Sequence, residues 1–146
     1  MSSDGQPVEI LLAEDNPGDA KLTKKAFEQG NIINNLHVVD DGIEAMKFLR
    51  QQGEYSDEAR PDLVLLDLNM PRKDGWTVLE DLKNDPDLGR IPVIVLTSSE
   101  AEEDIVKSYE LQANAYLTKP VDFQGFLEIV HSFEEFWLSV VKMPPE

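Results

Sequence analysis

The feature that most restricts the fold is an alternation repeated five times: a short apolar run, four to six residues long, followed by a longer stretch with apolar residues at helical spacing. Strands alternating with helices of this length are the pattern of βα units around a parallel sheet. The first run, Val8–Ala13, ends in Glu14-Asp15. Asn16 and Pro17 then supply an N-cap and a first-turn proline for a helix to about Gln29, closed by Gly30. Residues 36–39 form the second run. Asp41 caps a helix from Gly42 to about Gln52, whose inward side is assigned to Ile43, Ala45, Met46 and Leu49, and the polar segment 53–60 reads as a loop.

Residues 63–66, between Pro61 and Asp67, are continuously apolar, as expected of a central strand buried on both faces. A helix over 76–84 follows, with Asp74-Gly75 before it read as a turn in which the glycine permits positive φ. Residues 92–96 repeat the central-strand pattern. Ser99 and Glu102 form a capping box for a helix to about Leu111. Ala115–Thr118 is the last strand, a helix runs from about Asp122 to Val141 beyond Pro120, and Met143-Pro144-Pro145 ends the order. At 146 residues the chain fits one domain over 1–146, with a flexible 1–6 and a tail at 142–146.

Charge narrows the function. The 29 acidic against 13 basic residues give a net charge of −16. A field of that sign repels nucleic-acid phosphates, and no basic cluster interrupts it, so direct DNA or RNA binding is not expected. There is no cysteine, hence no disulfide and no thiolate chemistry. The start lacks the basic segment and apolar run of a secretory signal, and no apolar stretch approaches the ~20 residues of a membrane span, so a cytoplasmic protein without a membrane anchor is expected.

In an open parallel sheet the ligand site lies outside the carboxyl ends of the strands. Those ends carry Glu14, Asp15, Asp67, Thr97 and Lys119. Three carboxylates, a hydroxyl and an ammonium converge there if the first, third, fourth and fifth strands are neighbours. Two carboxylates ~4 Å apart repel by about 4 kcal/mol at an effective dielectric of about 20, so three need compensation. A hard divalent cation meets that need, and magnesium is usually held by one or two carboxylates plus a phosphate.

The segments LLAEDN, LVLLDLNMPRKDGW, VLTSS and YLTKP lie in this order along the chain. With them the chain resembles the two-component response-regulator receiver family over essentially its whole length. The segment 53–60 and the ending EEFWLSVVKMP further resemble the small stand-alone regulators that partner phytochrome-type histidine kinases. The resemblance implies a flavodoxin-like (βα)5 fold, a doubly wound five-stranded parallel sheet in the order 2-1-3-4-5. It implies Asp67 as phosphoacceptor, with Glu14, Asp15, Asp67 and the main-chain carbonyl of Asn69 as ligands for magnesium, or manganese in its place. Thr97 would bond the phosphoryl group, Lys119 neutralise its oxygen, and Thr97 with Tyr116 form the switch. The peptide bond between Lys119 and Pro120 matches one that is usually cis.

The residues support such chemistry without the name. A carboxylate is a competent phosphoryl acceptor when placed in line, and catalysis is mainly positioning and neutralisation of oxygens. Phosphorylation adds about two negative charges, which would draw Thr97 and Lys119 inward and move the surface formed by residues 101–111, the last strand and the last helix. Two other classes compete. An Asp-nucleophile phosphatase generally carries a second carboxylate two residues after the nucleophile, where this chain has Asn69. A flavodoxin-type nucleotide module needs a phosphate cradle after the first strand, where Glu14 and Asp15 would repel a phosphate. The last helix carries a second apolar face, Ile129, Phe133, Phe136 and Val140, beside the stripe Phe123, Phe126, Leu127, Val130 and Trp137 that can meet the sheet. This predicts homodimerisation or partner docking through that helix.

Overall fold

The protein is seen in a computed structural model that describes residues 8–29, 34–68, 70, 75–97, 115–119 and 124–125. Strands β1 (Val8–Ala13), β2 (Asn34–Val39), β3 (Leu63–Asp67), β4 (Val93–Thr97) and β5 (Ala115–Thr118) form one sheet in the order β2-β1-β3-β4-β5. Every neighbouring pair is parallel. The expected order and direction are therefore present. Helices α1 (Pro17–Glu28), α2 (Gly42–Leu49) and α3 (Gly75–Asn84) connect the strands.

The chain steps from β1 outward to β2, then back past β1 to β3 and on to β4. Right-handed crossovers therefore put α1 on one face of the sheet and α2 with α3 on the other. On the α2/α3 face, Leu11, Ala13, Val64, Leu66, Val93 and Val95 join Met46, Leu49, Val78, Leu79 and Leu82 in one buried cluster. The alternate residues Ile10, Leu12, Leu63, Leu65, Ile94 and Leu96 point to the opposite face and are equally buried. Burial on both sides explains why β3 reads as an unbroken apolar run rather than an alternating one.

The N-caps predicted at Asn16 and Asp41 form. Asn16 Oδ1 accepts the Asp19 N–H at 3.0 Å with Pro17 opening the helix, and Asp41 Oδ1 accepts the Glu44 N–H at 2.8 Å. Three local expectations need correction. Helix α2 ends at Leu49 rather than near Gln52, because Gln51 adopts φ 55° and Gly53 φ 58°, reversing the chain. Ile43 is exposed while Phe48 is buried. The reason is the segment read as a loop: it folds into a 3-10 turn, Gly53–Tyr55. Tyr55 packs at a tilt against Phe48 with ring centroids 5.1 Å apart and donates its hydroxyl to Glu44 Oε1 at 2.6 Å, so the face of α2 that includes Phe48 becomes covered. Third, Gly75 is helical and not among the positive-φ residues; its constraint is steric, as described below.

The capping box at Ser99 and Glu102, the helix to Leu111, the last helix with its apolar faces, and both termini lie outside the described residues, apart from Gln124 and Gly125. Among the described residues, no helix is long and apolar enough to cross a membrane.

Candidate acidic site at the carboxyl rim of the sheet

Register brings the rim residues together. β1 and β3 pair with Ala13 opposite Leu66, so Glu14 and Asp67 leave the paired stretch level with each other. The Glu14 N–H continues the ladder to Val39 C=O at 2.9 Å. β4 places Leu96 opposite Asp67, and β5 places Thr118 opposite Thr97, so Lys119 follows directly on the last pair. This is also where the chain reverses its direction of travel across the sheet, between β1 and β3, the usual position of a ligand site in open α/β sheets.

Glu14 and Asp67 are buried and Asp15 is exposed. One carboxylate oxygen from each of the three lies within 4.8 Å of the others. Lys119 Nζ stands 3.2 Å from Glu14 Oε1, 3.3 Å from Asp67 Oδ2 and 3.2 Å from Asp19 Oδ2. The Asn16 N–H donates to Glu14 Oε2 at 3.2 Å. Glu14, Asp15, Asp67 and Lys119 are thus brought together. Thr97 and Tyr116 occupy β4 and β5, but their side chains, like all of Asn69 and Pro120, lie outside what the structure describes.

Acid outweighs base in this nest, and the titration of its members reflects it. Burial, then hydrogen bonding and repulsion from Asp67, push the Glu14 carboxyl up to about 7, against smaller opposing pulls from the Asn16 N–H and Lys119. For Lys119 burial acts to lower the pKa, but the charges of Asp67 and Glu14 and hydrogen bonds to Glu14 and Asp19 outweigh it, holding the ammonium well above the ordinary lysine range.

Asp19 is the residue that motif reading passes over. It falls four positions after Asp15, in the first turn of α1, where an acid is ordinarily explained by the helix dipole. That spacing was its only sequence signal. Gly75 is the second. A Cβ built there would collide with Asp67 O and come 2.5 Å from Leu68 Cα, so the start of α3 lies directly on the peptide that carries Asp67.

The donor set fits a hard divalent cation. All three candidate ligands are oxygens, two held rigidly by burial and one open to water, as suits an ion that keeps part of its hydration shell.

A proton and a bound cation would compete for Glu14, and pH separates the two. Its folded pKa is raised from 4.5 to about 7, so between those values the folded state holds more protons than the unfolded one and stability falls as pH rises. In chelator, the melting temperature of the wild type should therefore decline from about pH 5 to 8 more steeply than that of Glu14→Gln. Magnesium should reverse the order above about pH 7, since binding requires the deprotonated carboxylate. Parallel melting curves for the two proteins in chelator would contradict the assignment.

Parallel strands in this order, with acids and a lysine gathered at their carboxyl ends, are the architecture of a receiver domain. The chain belongs to the response regulator receiver domain family, whose sequence profile matches residues 10–131. Among its relatives is Response regulator Rcp1 from Synechocystis sp., 46% identical over 145 residues, which are 99% of each chain. A solved structure of Rcp1 in its Mn(2+)-bound form superposes with a TM-score of 0.73, covering 96% of this chain and 100% of the other at 46% identity. The phosphorylated cyanobacterial phytochrome response regulator RcpA, 46% identical, gives 0.74 over 96% of this chain and 99% of its own. The bacteriophytochrome response regulator AtBRR, 42% identical, gives 0.84 over 90% and 96%. The chain is therefore a receiver-domain response regulator related to those of phytochromes.

Proposed function

We propose that this chain, as a single receiver domain, accepts a phosphoryl group on Asp67 from the phosphohistidine of a phytochrome-type sensor histidine kinase and signals through contacts that depend on the phosphorylation state. The observation that carries the reading is the position of Lys119 Nζ, within 3.3 Å of both Asp67 and Glu14 at the rim of the sheet. In the reaction an Asp67 carboxylate oxygen attacks phosphorus, the P–N bond breaks, and the imidazole leaves as an acyl phosphate forms. Lys119 donates to a phosphoryl oxygen and offsets its charge, and the Thr97 hydroxyl bonds the phosphoryl group. Glu14, Asp15, Asp67 and the Asn69 carbonyl would hold magnesium, or manganese in its place. When bound, that ion neutralises phosphoryl oxygens and so lowers the repulsion between donor and acidic nest.

Tyr116, following Thr97, transmits the change to the surface near the last strand and last helix, where a histidine kinase, a second copy through the last helix, or another protein binds. The relation to phytochrome regulators supports the choice of kinase, and the net charge of −16 supports protein rather than nucleic-acid partners. The protein does not turn over a separate substrate.

Incubating the full chain with acetyl phosphate and magnesium tests the core of this. One phosphoryl group should add to the intact mass, and none should add in chelator. Rapid multiple turnover of donor without a labelled protein would favour a phosphatase instead.

A further inference from the structure

Lys119 has three carboxylate partners among the described residues. Asp19 Oδ2, at 3.2 Å, is as near as Glu14 Oε1 and slightly nearer than Asp67 Oδ2. An ammonium has three N–H donors, and three different side chains face this one. Asp19 is also held in place. The Asn16 N–H donates to Glu14 Oε2, Asn16 Oδ1 accepts the Asp19 N–H, and the Asp19 carbonyl accepts the hydroxyl of buried Thr23 at 3.0 Å. Glu14, Asn16, Asp19 and Lys119 thus close a ring that ties the first turn of α1 to the residue after β5.

The three partners face different futures once Asp67 is the phosphoacceptor. Oxygens of Glu14 and Asp67 that face a divalent cation are no longer fully available to Lys119, and a phosphorylated Asp67 offers the lysine a phosphoryl oxygen instead. Asp19 stands outside the group of three close carboxylates and has a half-exposed side chain. It is the one partner whose contact with Lys119 need not change. Resting on the phosphoacceptor reading, we propose that Asp19 is a positioning residue, which retains the Lys119 ammonium at the site while Glu14 and Asp67 exchange partners. A lysine side chain has many rotamers and a strongly hydrated head; without the anchor, its time within reach of the phosphoryl group falls.

The test compares full-length wild type, Asp19→Asn, Lys119→Ala and the double variant. Without metal or donor, the Lys119 ζ-ammonium should give a protected nitrogen NMR signal in the wild type, lost or broadened in Asp19→Asn. With acetyl phosphate and magnesium, Asp19→Asn should slow labelling about three- to fivefold, the range open to a partly exposed ion pair. Magnesium affinity by calorimetry should stay within about twofold, whereas a collapsed rim would lower both. In the Lys119→Ala background the same substitution should change the rate less than about 1.5-fold, because its effect runs through the lysine. Equal loss in both backgrounds, or no loss in either, overturns the proposal and leaves Asp67 as acceptor. A wild type that takes no label removes the phosphoacceptor reading and the proposal with it.

Discussion

Asp67→Asn should abolish the phosphoryl mass gain, and it should do so without unfolding the protein. The amide matches the carboxylate in volume but lacks its nucleophilic oxygen, so loss of labelling should be complete rather than partial. The side chain is buried in a nest where acids outnumber bases, and Lys119 keeps Glu14 at 3.2 Å and Asp19 at 3.2 Å. Removing one like charge relieves repulsion in the metal-free state. The melting temperature in chelator should therefore hold or rise. Asp67 is also among the causes of the elevated Glu14 pKa, so that carboxyl should titrate closer to the ordinary range in the variant, as carbon NMR of its carboxylate can follow. Labelling of Asp67→Asn at the wild-type rate would place the acceptor elsewhere.

Among the glycines at positions 18, 53, 75 and 89, Gly75→Ala should be the most damaging added methyl. The added Cβ would collide with Asp67 O and meet Leu68 Cα at 2.5 Å and Asp67 C at 2.9 Å, all main-chain atoms that cannot turn aside. The Gly75 N–H donates to Leu68 C=O at 2.9 Å, so the contact cannot open without breaking the bond that seats α3. Overpacking usually costs 1–3 kcal/mol where side chains yield. With only backbone to yield, a loss of at least about 3 kcal/mol in urea unfolding is expected. Magnesium affinity should fall as well, because the displaced peptide carries Asp67. A change below about 0.5 kcal/mol would mean that the helix start slides freely over the strand end.

These two residues also mark how far the sequence can be read. Asp67 was legible because a run of apolar residues must stop where a polar one begins, and the strand pattern fixes which rim it stops on. Glu14, Asp15 and Lys119 follow the same rule. Gly75 was misread because composition reports what backbone a glycine permits, not what passes against it; the close contact is a property of β3 and α3 together. Asp19 was missed because its partner lies a hundred positions away and a local explanation sufficed. Ile43 and Phe48 exchanged places for a similar reason. Helical spacing gives a stripe, but which edge of the stripe is covered depended on Tyr55 arriving from a stretch that looked merely polar.

That stretch has a bearing on engineering. Gln51 Nε2 bonds Glu58 C=O at 2.7 Å, Tyr55 is fastened to Glu44, and its ring continues a row through Phe48 to His37, again with centroids 5.1 Å apart. The connection between α2 and β3 is a buttress whose foundation lies in the preceding helix and the edge strand. Transplanting residues 51–60 alone onto another scaffold would move the beam without its footings; Glu44, Phe48 and His37 have to travel with it.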